Sequence, residues 1–195
     1  MCLWRLCVGD RWMGNVRERI ALVTYDNAAL NYWLVVDTIR IPDAIDVLKA
    51  NIAIQQALPL YAGSDFDYAL EQSPFVVNLG ADRAAALSCL SLAGFDSSAV
   101  IFEIDASCHV DALMFHLQSL LVVFVDKKRI YLRFYTPPFW ETFATALVDN
   151  DIRTLLGPAH AIHCISSTHQ QQSLSRPDGE SAIPPYTLTS PIFKQ

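Results

Sequence analysis

Between Leu117 and Leu147 the chain reads LQSLLVVFVDKKRIYLRFYTPPFWETFATAL, and no other stretch limits the possible folds as tightly. A short apolar run, Leu120 to Val125, precedes four charged residues, Asp126, Lys127, Lys128 and Arg129, and alternation follows over Ile130 to Tyr135. Two strand-length segments around a charged turn predict a β-hairpin. Pro137 and Pro138 then stop the strand, because proline has no N–H to give to a ladder. Beyond them Phe139, Trp140, Phe143, Ala144, Leu147 and Val148 recur at helical spacing. The unit is strand, turn, strand, proline break, helix, and by itself it carries no chemistry.

Upstream, Asn15–Leu30 shares a helical face through Val16, Ile20 and Val23, with Asp26 and Asn27 marking a frayed end. NYWLVVDT, Asn31 to Thr38, is aromatic and β-branched and predicts a buried strand ending at Asp37. A helix opens after Pro42, an edge segment closes at Pro59, and a short helix follows over Asp65–Glu71. Phe75–Leu79 and Ala99–Ile104 read as strands, and Ala81–Ala93 between them as one helix capped by Gly94. Ser107 is placed to cap a further helix whose stripe, Val110, Leu113, Met114, Leu117, Leu120 and Leu121, is core. Asp151–Leu156 predicts a short helix and Ala159–Ile165 a last strand. The expected fold is α/β (mixed α+β): a central mixed sheet with flanking helices, including a C-terminal β-hairpin followed by a helix. We divide the chain into a lead-in segment (1–30), one domain (31–165) and a flexible tail (166–195). The tail opens with a Ser- and Gln-rich linker over Ser166–Ser181, and its apolar end suits docking on the domain or on a partner.

Composition narrows the functional classes. A net charge of −6 and a single basic cluster, Lys127–Arg129, argue against nucleic-acid binding, which depends on clustered cations. Charged residues are only 17% and mean hydropathy is +0.26, which favours a chain that hides surface against a partner. Five cysteines without a CxxC pair suit a reducing cytoplasm. No apolar run approaches the length of a membrane span, so no membrane insertion is expected.

No cofactor, metal or catalytic site is expected. His160 and His163 would point to opposite faces of a strand, and Cys108 lies about two helical turns from His116. Glu103 and Asp105 read as a solvated strand end, and no GxSxG, HExxH, GxGxxG or Walker pattern occurs. Tyr131, Arg133 and Tyr135 fall on one face of the alternating strand, with Trp140 just beyond. These four are the candidate partner-binding residues, because Tyr, Trp and Arg dominate interface hot spots. The competing reading of Arg133 is a solvent-facing or salt-bridged strand residue with its stem packed on the tyrosines.

Four blocks then carry a resemblance. LYAGSDFDYALEQSPFVVNL (Leu60–Leu79), FHLQSLLVV (Phe115–Val123), IYLRFYTPPFWETFATAL (Ile130–Leu147) and LLGP (Leu155–Pro158) occur in a particular order and spacing. In these the chain resembles the effector adaptor and chaperone domain of bacterial type VI secretion. The likeness runs from about Asn31 to Ile165, with the first strand ending in Asp37 and Arg-Phe-Tyr at Arg133–Tyr135. The chain departs from the family's pattern at Gln118, where Arg is common, and at Thr136–Pro138, where Asp-Pro-Arg is common. The resemblance implies a cytoplasmic, non-enzymatic protein that binds a secreted toxin effector, through a short N-terminal or adaptor-binding segment of that effector. It further implies that the complex is loaded onto a VgrG-type spike protein. The alternatives are a small thiol- or metal-dependent hydrolase using Cys108 or the His160–His169 region, and a toxin-neutralising immunity protein.

Overall fold

The computed structural model describes residues 29–143 and 146–194. In chain order the elements are β1 (Leu30–Val36), α1 (Ala44–Asn51), β2 (Gln56–Pro59), β3 (Phe75–Asn78), α2 (Arg83–Ser88), α3 (Phe95–Ser98), β4 (Ala99–Asp105), α4 (Val110–Leu120), β5 (Val122–Val125), β6 (Lys128–Tyr131), α5 (Pro137–Phe143), α6 (Asp149–Leu156), β7 (Ala159–Ile165) and β8 (Gln171–Ser175). Among the described residues six strands make one sheet in the order β2-β3-β1-β4-β7-β8, and β5 pairs with β6 as a separate hairpin. The helix expected over Asn15–Leu30 lies outside the described residues except at its end, where Leu30 already belongs to β1.

The mixed α/β class holds, with helices flanking a central sheet and the hairpin followed by α5. Every pairing in the large sheet is antiparallel, so the mixture lies in helices and strands and not in strand direction. Continuous apolar strands such as NYWLVV are typical of parallel sheets because both faces are covered. Here an antiparallel sheet is covered on both faces too. Tyr32, Leu34, Val36, Ala99 and Ile101 pack with Leu48 of α1, Ala86 of α2 and Phe95 of α3. Trp33, Val35, Val100, Phe102 and Ile162 pack on the other side with Leu117 of α4, Val123 of β5, Trp140 of α5 and Leu155 of α6. Full burial of large apolar side chains contributes roughly 1.5–3 kcal/mol each, which is why the central strands show no polar alternation.

Several local expectations shift for tertiary reasons. The helix expected over Ala81–Ala93 stops at Ser88, passes through a 3-10 turn at Cys89–Ser91 and restarts as α3, which places Leu90 and Phe95 fully in the core. Gly94, at φ +83°, starts α3 instead of capping a longer helix. Ser107 does not cap α4, because its N–H and hydroxyl both donate to Asp105 Oδ1. The cap is His109, whose ring accepts from the Asp111 N–H. The hairpin turn has two residues, not four: Asp126 (φ 46°) and Lys127 (φ 66°) give the left-handed pair that matches strand twist. Lys128 and Arg129 therefore belong to β6, paired with Val125 and Phe124.

The tail packs on the domain. Gln171–Ser175, inside the expected flexible linker, forms edge strand β8 against β7, so the sheet crosses the boundary drawn at Ile165. A polar segment suits that edge because only one of its sides meets another strand. Farther on, Phe124 of β5 donates its N–H to Tyr186 O (2.8 Å) and accepts from Leu188 N–H (2.9 Å), and Tyr186 and Leu188 are buried. Asp151, near the start of α6 and fully buried, accepts from the N–H groups of Thr189 and Ser190 and from both of their hydroxyls.

Candidate partner-binding surface

The motif after the hairpin leaves the ladder at Tyr131, so Arg133 and Tyr135 are not on a strand face. Leu132 and Phe134 turn into the core, and Thr136 Oγ1 closes a turn by donating to Arg133 O (3.0 Å). Pro137 opens α5 in the first helical turn, where its missing N–H costs nothing. Arg133 Nη2 donates to Asp37 Oδ2 at 2.5 Å, across 96 residues of sequence. The Asp37 side chain is 2% exposed and its other oxygen accepts from the Ile39 N–H, whereas the Arg133 side chain is 48% exposed. Arg133 is thus salt-bridged, with Asp37 as partner and the Tyr135 ring centroid 5.8 Å from the guanidinium carbon.

Tyr135 and Trp140, two of the candidate contact residues, are 3% and 2% exposed. They have no surface to give a partner. Trp140 Nε1 donates to Phe134 O, and its ring packs edge-on against Phe102 and Phe139, so its size fills the core. Tyr135 joins Tyr131 and Tyr61 in a chain of hydroxyls, 3.1 Å and 2.6 Å apart. Burial pushes the Tyr61 hydroxyl up to about 12. Burial, together with its two hydroxyl partners, pushes Tyr131 up as well, so both stay protonated and act as hydrogen-bonding groups. Of the four candidates, Tyr131 and Arg133 retain surface.

The quoted motif blocks interlock. Gln118, which stands where Arg is common, donates its amide to Leu60 O (3.1 Å) and Ala62 O (2.8 Å), tying α4 to the Leu-Tyr-Ala-Gly segment. Buried His116 meets Tyr186 OH through Nδ1 (2.8 Å) and Leu155 O through Nε2 (3.3 Å). Since a carbonyl only accepts, Nε2 carries the proton and Nδ1 accepts from the tyrosine. Burial lowers the His116 pKa to about 4, which keeps the ring neutral. A Cβ on Gly157, whose φ is +54°, would overlap that ring, so the Leu-Leu-Gly-Pro block supplies the space His116 needs. Residue type alone does not mark His116, Asp151 or Gly157 as supports; their one trace in the sequence is membership of a quoted block or of a helix start.

Outside these contacts lies an aromatic groove of about 610 Å³. Val122, Phe124 and Arg129 of the hairpin line it, with Phe115 of α4, Phe66 and the Pro184–Pro185 segment around them. A smaller groove of about 340 Å³ includes Phe115 and reaches Leu58 and Pro59 on edge strand β2. Phe115 is well exposed, and Phe66 packs between Tyr61 and Tyr131, each 5.4 Å away, with exposed Tyr68 beyond.

The geometry offers little to nucleophile or metal chemistry. The Cys108 thiol is pushed up by burial and by Asp105, the opposite of an activated thiolate. His160, His163 and His169 each face a different carboxylate, Asp105 (4.0 Å), Glu103 (3.1 Å) and Asp96 (3.5 Å). Among the described residues no group of three or more His, Cys, Asp and Glu side chains is placed to hold a metal ion, and no helix is long and apolar enough to cross a membrane.

Fold and site together define an α/β domain with helices on both faces of an antiparallel sheet, whose polar side chains tie its own segments together beside an aromatic groove. A family model described as a domain of unknown function, DUF4123, matches residues 32–153, more than half of the chain, and the chain belongs to that family. No curated protein and no solved structure matches it.

Proposed function

We propose that this chain is a cytoplasmic adaptor and chaperone that binds a secreted toxin effector of type VI secretion and promotes its loading onto a VgrG-type spike protein, without catalysis of its own. The observation that carries this reading is the interlocking of the four resemblance blocks and the strand end before them: Asp37 with Arg133, Gln118 with Leu60 and Ala62, and His116 with Leu155 and Gly157. Blocks that resemble a binding domain in their order also support one another in space, beside an open aromatic groove of a size that takes protein side chains. The raised Cys108 pKa weighs against the thiol hydrolase.

Co-expression of the full chain with a candidate effector toxin from the same genome, followed by affinity purification, tests the proposal. A stable complex that then retains the spike protein is expected. A lone, monodisperse chain that leaves toxin solubility and spike binding unchanged would refute it.

A further inference from the structure

Among the described residues nothing pairs with the outer edge of β6, while its backbone is ordered by the rest of the hairpin. Phe124 and Arg129 oppose each other in the β5–β6 ladder. In an antiparallel pair, opposed residues alternate between exchanging hydrogen bonds and turning their N–H and C=O groups outward. Phe124 turns its groups away from β6, onto Tyr186 and Leu188 of the tail. Arg129 must therefore turn its own groups the other way, off the far side of β6. Tyr131, opposite Val122, lies two residues on and does the same, while Leu132 N–H returns to Leu121 O. All four residues of β6 are exposed.

The chain thus already holds an extended segment on one edge of this hairpin, through two bonds around a single residue. The opposite edge offers two such residues, and its side chains specify what would lie there. Lys127, Lys128 and Arg129 make no ion pair among the described residues, in a chain of net charge −6. Ile130 and Tyr131, 37% and 43% exposed, follow directly. Lysines on an edge strand discourage pairing between like strands. The same charges favour an acidic one.

We propose that β6 is a strand-addition site for an extended peptide segment in which a pair of acidic residues adjoins a pair of aliphatic or aromatic ones. Main-chain bonds to Arg129 and Tyr131 hold it, its two carboxylates lie opposite Lys128 and Arg129, and its two apolar side chains lie opposite Ile130 and Tyr131. Neighbouring residues point to opposite faces, so each face of the added strand carries one ion pair and one apolar pair. This deepens the adaptor reading and rests on it for the identity of the partner, while the edge itself follows from the ladder.

The test uses the full chain and a random peptide library displayed on phage, so it needs no knowledge of the toxin. Selected peptides should share two adjacent acids next to two adjacent apolar residues. A synthetic selected peptide should bind at least about tenfold more weakly to the Lys128→Glu, Arg129→Glu chain, because complementary charges steer association and fix register. Both side chains are exposed, and an unchanged circular dichroism melt confirms that the variant folds. N-methylation of one alternate set of peptide amides should abolish binding and methylation of the other set should not, which a groove-bound helix would not show. An empty selection, a consensus without acids, equal effects of the two methylations, or binding indifferent to charge reversal would overturn the proposal. So would a dimer of the chain, seen in sedimentation, that the selected peptide cannot dissociate, since a second copy would then occupy the edge. Such failures leave toxin co-purification untouched, whereas failed co-purification with a positive selection would remove the adaptor reading and keep the edge site.

Discussion

Acid should destabilise this chain through His116. The groups on its ring are the Tyr186 hydroxyl, the Leu155 carbonyl and the close approach of Gly157, none of them charged near neutral pH. Burial lowers its pKa from 6.5 to about 4 in the folded chain. Between those values the unfolded chain binds a proton that the folded chain refuses, so stability is intact above 6.5 and falls as pH drops toward 4. For one such group the loss relative to neutral pH is about 1 kcal/mol at a pH of about 5.5 and about 3 kcal/mol at a pH of about 4. His163 is lowered in the same direction by burial, opposed by Glu103, so the wild type alone mixes two contributions. Urea unfolding of the wild type and His116→Gln across this range separates them. Near neutral pH the variant should be about 1–2 kcal/mol less stable, from hydrogen bonds lost in a buried site. The gap should close by a pH of about 5.5 and reverse below it, because Gln has no proton to refuse. A gap that stays constant across the range would refute the neutral, buried assignment of His116.

Asp151→Asn should cost about 2–3 kcal/mol, since an amide cannot accept from all the donors of Thr189 and Ser190, and limited proteolysis should then cut the last residues of the chain sooner. Gly157→Ala should cost at least about 2 kcal/mol or prevent soluble expression, because a methyl group collides with the His116 ring at a left-handed backbone position; thermal melts of the purified chain read this directly. Arg133→Ala should cost about 1–2 kcal/mol in urea, by leaving the Asp37 carboxylate buried and half-satisfied; the figure is held down by the 48% exposure of Arg133. Loss of partner binding in that variant must therefore be scored against its melt.

Local pattern was enough for most of the elements. NYWLVV, FVVN and AVIFEI announced central strands because burial on both faces demands nearly unbroken apolar runs, and Pro59 sits on the edge strand because it cannot donate to a ladder. The stripe on α4 was legible for a similar reason: Leu113, Leu117, Leu120 and Leu121 recur at the spacing of one helical face. The antiparallel pairing was not legible, since a strand covered on both sides reads alike in either orientation. Nor was β8, whose mostly polar residues carry no periodicity and are ordered by pairing with β7 and by Leu174 packing on the core.

The site divides along the same line. The sequence by itself singled out Tyr131, Arg133, Tyr135 and Trp140 by residue type, and it named Asp37 and Arg133 as separate marks of a family. Residue type does not reveal burial. Only the tertiary structure decided that Tyr135 and Trp140 face inward, that Asp37 neutralises Arg133 from 96 residues away, and that the tail fills one edge of the hairpin while no described residue pairs with the other. Those outcomes depend on which distant segments meet, and interactions that span the chain leave no mark in local spacing.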